Sequence, residues 1–137
     1  MVKAEVPRIL VVDDDLSAAL ASTYALLDAG FEVDIATTRT DALRLLGEHH
    51  YAASLVDLVM PDLGGRLVSR DVRVLAPEAA LIVVGEDPEP VARSLEPDHY
   101  LHRPFSALGL LEAVAQALRR ARERRPPSSQ SVLHPAG

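Results

Sequence analysis

From Ile9 almost to the C-terminus the chain alternates short, continuously apolar runs with longer segments in which apolar residues return every three or four positions. A short run that is apolar at every position suits a strand covered on both faces, and the longer period suits a helix with one covered face. Their regular alternation predicts an α/β fold, a parallel sheet covered by helices. The first run, Ile9 to Val12, stops at Asp13, Asp14 and Asp15. Leu16, Leu20, Tyr24 and Leu27 then recur at helical spacing until Gly30 supplies a stop. A second strand is expected over Glu32 to Ala36. The next helix carries Thr38 as its cap with Asp41 three residues on, and Leu43 and Leu46 as its buried face. Tyr51 to Val56 reads as a third strand ending at Asp57, followed by VMPDLGG (Val59 to Gly65), in which Pro61 fixes one dihedral and two glycines permit turn geometry. Arg66 to Leu75 predicts a third helix, Ala80 to Val84 a fourth strand, and Pro88 to Leu95 a fourth helix of about two turns. Tyr100 and Leu101 mark a short fifth strand. Ser106 is placed to cap a last helix whose Leu108, Leu111, Val114, Ala115 and Leu118 face the core.

With 137 residues the chain is expected to form one domain, a body over 1–125 followed by a mobile Pro/Ser-rich tail over 126–137. Hydrophobic residues make up 48% and aromatic residues only 4%, so Leu, Val and Ala must fill the core. A net charge of -6 argues against direct nucleic-acid binding, which needs a basic face. The absence of cysteine excludes disulfides and thiolate metal sites and is compatible with a reducing compartment. No apolar run reaches the roughly 18 residues of a membrane span, and MVKAEVPR lacks the apolar stretch of a signal peptide, so a cytoplasmic protein is expected.

In open parallel sheets ligands bind beyond the carboxyl ends of the strands, where strand order reverses. For a doubly wound sheet of order 2-1-3-4-5 that crevice lies between the first and third strands, the two that end in Asp13-Asp14 and in Asp57. Carboxylates brought together in a partly dehydrated cleft repel, and a cation compensates them. Oxygen ligands favour Mg²⁺, which takes one or two carboxylates and leaves room for a phosphate oxygen. Carboxylate is also a covalent nucleophile toward phosphoryl groups.

On ILVVDDD (Ile9 to Asp15), LVDLVMPDLGG (Leu55 to Gly65) and YLHRPF (Tyr100 to Phe105), the chain resembles the receiver domains of bacterial two-component response regulators, from about Pro7 to Arg122. The resemblance implies a flavodoxin-like (βα)5 fold that is a phosphoacceptor and not an enzyme. It implies Asp57 as the phosphoacceptor, and Asp14, Asp13 through water, Asp57 and the Val59 backbone carbonyl around Mg²⁺. Tyr100 falls where the family has an aromatic switch, and Pro104 where it has a cis-proline. The implied partners are a histidine kinase or histidine phosphotransfer protein as donor, and a downstream protein or an output domain as receiver of the signal. A homodimer through the face of the fourth and fifth helices is the assembly it allows. Two phosphate-contacting positions depart from the family pattern: Gly85 stands where a Thr or Ser hydroxyl is usual, and Arg103 where a Lys precedes the proline. The segment from Gly85 to Tyr100 is short for the family.

Other readings stay open beside this one. Asp13 to Asp15 are also acids suited to a helix N-terminus, and Asp15 is read as a cap. Tyr100 fits a half-buried core position as well as a switch. His49, His50, His99, His102 and His134 lack metal-ligand spacing. The Arg119 to Arg125 run reads as the cation-rich end of a helix rather than a nucleic-acid patch. A degenerate receiver that docks partners without phosphorylation is the alternative that Gly85 favours. A remoter one is a haloacid-dehalogenase-like phosphatase, from Asp13-x-Asp15-x-Ser17 with Gly85-Glu86-Asp87 as a later acid motif.

Overall fold

The apolar runs pair side by side into one parallel sheet of order β2-β1-β3-β4-β5, formed by β1 (Arg8–Val12), β2 (Glu32–Ala36), β3 (Ala53–Asp57), β4 (Ala80–Gly85) and β5 (His99–His102). The computed structural model describes residues 6–60, 64–86 and 94–124. Helices α1 (Leu16–Asp28), α2 (Arg39–Glu48), α3 (Gly65–Leu75) and α4 (Ala107–Arg124) cover the sheet. The helix expected over Pro88 to Leu95 lies outside the described residues except for its last two positions, and so does the expected tail over 126–137.

Successive side chains of a strand point to opposite faces, so each central strand feeds two cores. Ile9, Val11, Leu55, Ile82 and Val84 join the layer under α1 and α4, whereas Leu10, Val12, Val56, Leu81 and Val83 join the layer under α2 and α3. That is why β1, β3 and β4 carry no polar position except Ser54, the terminal Asp57 and Arg8 at the entry of β1. The caps form as expected. Asp15 Oδ1 accepts from the backbone N–H of Ser17 and Ala18 at 3.0 and 3.3 Å, Thr38 Oγ1 from Asp41 at 3.1 Å, and Ser106 Oγ from Gly109 at 2.9 Å. Each such cap is worth about 1 kcal/mol. Gly30 ends α1 at φ 98°, a left-handed backbone that favours glycine.

Two helix faces differ from the expected ones. In α1 the buried residues are Ala19, Ser22, Thr23 and Leu26, whereas Leu16, Tyr24 and Leu27 are about half or more exposed. In α4 the core is made by Leu110, Ala113, Val114, Ala117 and Ala121, while Leu108 and Ala115 face solvent. The reason is distance: the two helices pack on each other over one layer of the sheet, and small side chains let their axes approach where a stripe of leucines would hold them apart. The third strand begins at Ala53 rather than Tyr51. Tyr51 instead donates its hydroxyl to Asp34 Oδ2 at 2.7 Å, where Arg8 also pairs at 2.9 Å.

Candidate functional site at the carboxyl ends of β1 and β3

In the parallel register Val12 pairs with Val56, so the next residues, Asp13 and Asp57, stand side by side where the sheet order reverses. Both are nearly buried, at 6% and 8% exposure. Each carboxylate uses one oxygen on the backbone amide two residues on: Asp13 Oδ1 accepts from Asp15 N–H at 2.9 Å and Asp57 Oδ1 from Val59 N–H at 2.9 Å. The other oxygens turn toward one cation. Arg103 Nη2 donates to Asp57 Oδ2 at 2.6 Å and lies 3.4 Å from Asp13 Oδ2. Burial pushes both carboxyls above the usual carboxylate range, and the backbone amides and Arg103 lower them without cancelling that effect.

Gly85 closes β4 as a buried residue, and its carbonyl accepts the Arg103 backbone N–H at 2.9 Å. This backbone bond continues the β4–β5 ladder, and no side-chain hydroxyl stands at Gly85. The Arg103–Pro104 peptide is cis, as the resemblance implied. Asp14 is exposed beside Asp13. The Val59 side chain is exposed, and its amide holds Asp57. Tyr100 is not brought to this cluster. It packs against the layer under α2 and α3, with its ring edge-on to His102 at a centroid distance of 5.4 Å.

Sequence reasoning missed the groove beside the acids. A cavity of about 590 Å³ runs between α1 and the start of α4, lined by Ala18, Ala21, Ser22 and Ala25 on one side and by Arg103 and Phe105 on the other. The small residues at 18, 21, 22 and 25 follow helical spacing and were its available signal. Among the described residues no group of three or more His, Asp or Glu forms a ready metal cage. Asp15, the second acid of the phosphatase-like motif, is engaged as the α1 cap. The arginine run is partly structural: Arg124 Nε and Nη2 donate to the buried Asp98 carboxylate at 2.7 and 2.8 Å, and further bonds reach the Pro77 and Ala79 carbonyls.

The profile of the response regulator receiver domain family matches residues 9–115. The chain belongs to that family, a family of signalling domains. The transcriptional regulatory protein PrrA of Mycobacterium tuberculosis is 31% identical over 130 residues, covering 92% of this chain and 56% of that protein. The chain thus spans about half the length of the curated relatives it matches. Among solved structures, a CheY-like receiver domain protein from Methanospirillum hungatei JF-1 superposes with a TM-score of 0.79 at 26% identity, covering 88% of this chain and all (100%) of that one. The response regulator TrrA from Thermotoga maritima, solved in complex with Mg(2+)-BeF, gives a TM-score of 0.72 at 25% identity over 82% of this chain and 99% of that one. Among the described residues no helix is long and apolar enough to cross a membrane.

Proposed function

We propose that this receiver domain accepts a phosphoryl group on Asp57 from the phosphohistidine of a histidine kinase or histidine phosphotransfer protein in the cytoplasm, with Mg²⁺, and signals by a change in protein binding. One observation carries the reading. Asp57 is nearly buried at the switch point of the sheet, one oxygen is fixed by the Val59 amide, and the other is turned to a cation. A carboxylate so held is oriented for in-line attack on phosphorus, with the phosphorus–nitrogen bond to the donor imidazole breaking as the acyl phosphate forms.

The donor set fits Mg²⁺. Asp13 and Asp57 offer converging carboxylate oxygens, Asp14 stands beside them, and the Val59 backbone carbonyl follows the acceptor. Two carboxylates suffice, because this ion keeps several waters and completes its shell with phosphate oxygens. When bound it would supply positive charge at the transferring oxygens, the site's chief need. Arg103, already on Asp57 Oδ2, carries a planar fork suited to the incoming phosphoryl oxygens. The groove beside Arg103, walled by α1 and the start of α4, gives a donor helix a place to lie near the acids.

Incubation with acetyl phosphate and Mg²⁺, followed by intact mass, tests the reading. One added phosphoryl group on the parent and none on Asp57→Asn is the expected result, and no uptake from either acetyl phosphate or a cognate phosphodonor would refute it. Gly85 favours a second reading, a receiver-shaped docking module that is not switched by phosphate, because no side-chain hydroxyl stands there to draw the following loop toward a phosphoryl group. Under that reading partner affinity is the same before and after treatment with the donor. Tyr100 would relay the change in the first reading and only fill the core in the second.

A further inference from the structure

Charge and apolar surface coincide in the first third of the chain, away from the acid site. Residues 9–38 hold six acids, Asp13, Asp14, Asp15, Asp28, Glu32 and Asp34, and no Lys, Arg or His. The other 14 acids are matched by 14 Lys and Arg, so the whole net charge of -6 belongs to this segment. The same segment carries an uncovered apolar stripe. A helix turns about 100° per residue, so Leu16, Leu20 and Leu27 share one flank of α1, with Tyr24 just beyond them. Ala18, Ser22 and Ala25 share the opposite flank, on the groove toward α4. Leu16, Tyr24 and Leu27 are 54%, 64% and 49% exposed. Their flank lies on the side of β2, the outer strand of the sheet, where Phe31, Val33 and Ile35 of the same layer are only partly buried.

We infer that this flank of α1 and the β2 edge form a docking surface for a helix of a partner protein, apolar along one face and carrying Lys or Arg at both ends. Charge selects the occupant. Asp14 and Asp28 stand exposed at the two ends of α1 without an ion-pair partner among the described residues, whereas Glu32 and Asp34 share Arg8. Nucleic acid and anionic lipid carry the sign of this face and are repelled. A second copy packed about a two-fold axis would set the acids of one chain against those of the other. Length fits a helix as well: Leu16 to Leu27 spans about 16 Å, or about three turns, the reach of anchors at i, i+3, i+4 and i+7. A helix so placed lies beside α1 as a further member of its layer and leaves the groove on the other flank free. Such docking needs no phosphoryl group on Asp57.

The probe is a dye-labelled peptide of about 18 residues with Leu at helical spacing and Lys at both ends, beside a copy with Glu in place of each Lys. Fluorescence anisotropy should show the Lys peptide saturating the parent, and the Glu peptide binding at least about tenfold more weakly. Leu27→Glu and Tyr24→Glu replace exposed side chains, so both variants should melt with the parent and yet lose at least about tenfold in affinity for the Lys peptide. Ala107→Gln, on the groove, and Asp57→Asn should bind it as the parent does. Equal binding of the two peptides, no binding of the Lys peptide by the parent, or parent-like binding by both glutamate variants would overturn the inference. Sedimentation of the parent alone decides on the other occupant: a dimer that Leu27→Glu dissolves would give the face to a second copy and overturn the partner helix. Acetyl phosphate uptake on the same samples reports on Asp57 alone, so failure of the docking surface and failure of the phosphoacceptor are read separately.

Discussion

Asp13 and Asp57 are ionisable groups held where ionisation is disfavoured, and this has a sign that can be tested. Their folded carboxyls lie above the ordinary value of 3.8, burial being the first cause for each. Between 3.8 and the raised folded values the folded chain binds more protons than the unfolded one, so stability is lost as pH rises through that window. The ionised pair is therefore a destabilising element at neutral pH, and Arg103 offsets part of it. An Asp13→Asn, Asp57→Asn double variant should melt higher than the parent at neutral pH without Mg²⁺, and the gap should close as pH is lowered toward 3.8. Thermal melts across a pH series check this. A gap that widens on acidification would mean that the arginine outweighs burial.

Among the elements, α1 and α4 each present one face to the core and another to the groove, and the two should respond differently to substitution. Leu26 is fully buried, and Leu26→Ala should cost about 2–5 kcal/mol, read from urea unfolding. Ala21 lies exposed on the groove side, so Ala21→Arg should change stability by no more than about 0.5 kcal/mol. It should nevertheless slow phosphotransfer from a protein donor, leaving acetyl phosphate uptake unchanged. Equal slowing from both donors would show that the groove does not receive the partner. At the far end of α4, the 3%-exposed Asp98 carboxylate accepts from Arg124, from Arg73 on α3 and from the Leu81 amide. Asp98→Ala strands these donors and should lower stability by about 3 kcal/mol, with the last turn of α4 losing hydrogen-exchange protection first. Little change in the urea midpoint would mean that the clamp is solvated in the ensemble.

For the molecule as a whole, a chain of net charge -6 sets two nearly buried acids, Asp13 and Asp57, side by side at the carboxyl end of a parallel sheet, and a cation that binds only the folded form must stabilise it. Mg²⁺ at about 100 times its dissociation constant should add about 2.7 kcal/mol, seen as a rise in Tm that the double amide variant lacks. The hydrophobic pattern was sufficient for the strands and their acid-bearing ends, because a strand buried on both faces must be apolar throughout and can only end where the polar residues begin; the strand order came with the family resemblance. The capping residues were legible for a similar reason: Asp15, Thr38 and Ser106 act on backbone within three residues of themselves. The covered faces of α1 and α4 were not legible, since Leu16, Tyr24 and Leu27 mark a helix by period alone while the neighbouring helix decides which flank is covered. Nor could the chain alone join Arg103 to Asp13 across 90 residues. Sequence determined what each local segment must be, because periodicity and capping act over a few residues. Tertiary structure alone decided which oxygens face which cation, because those distances depend on strand register and on how closely helices pack.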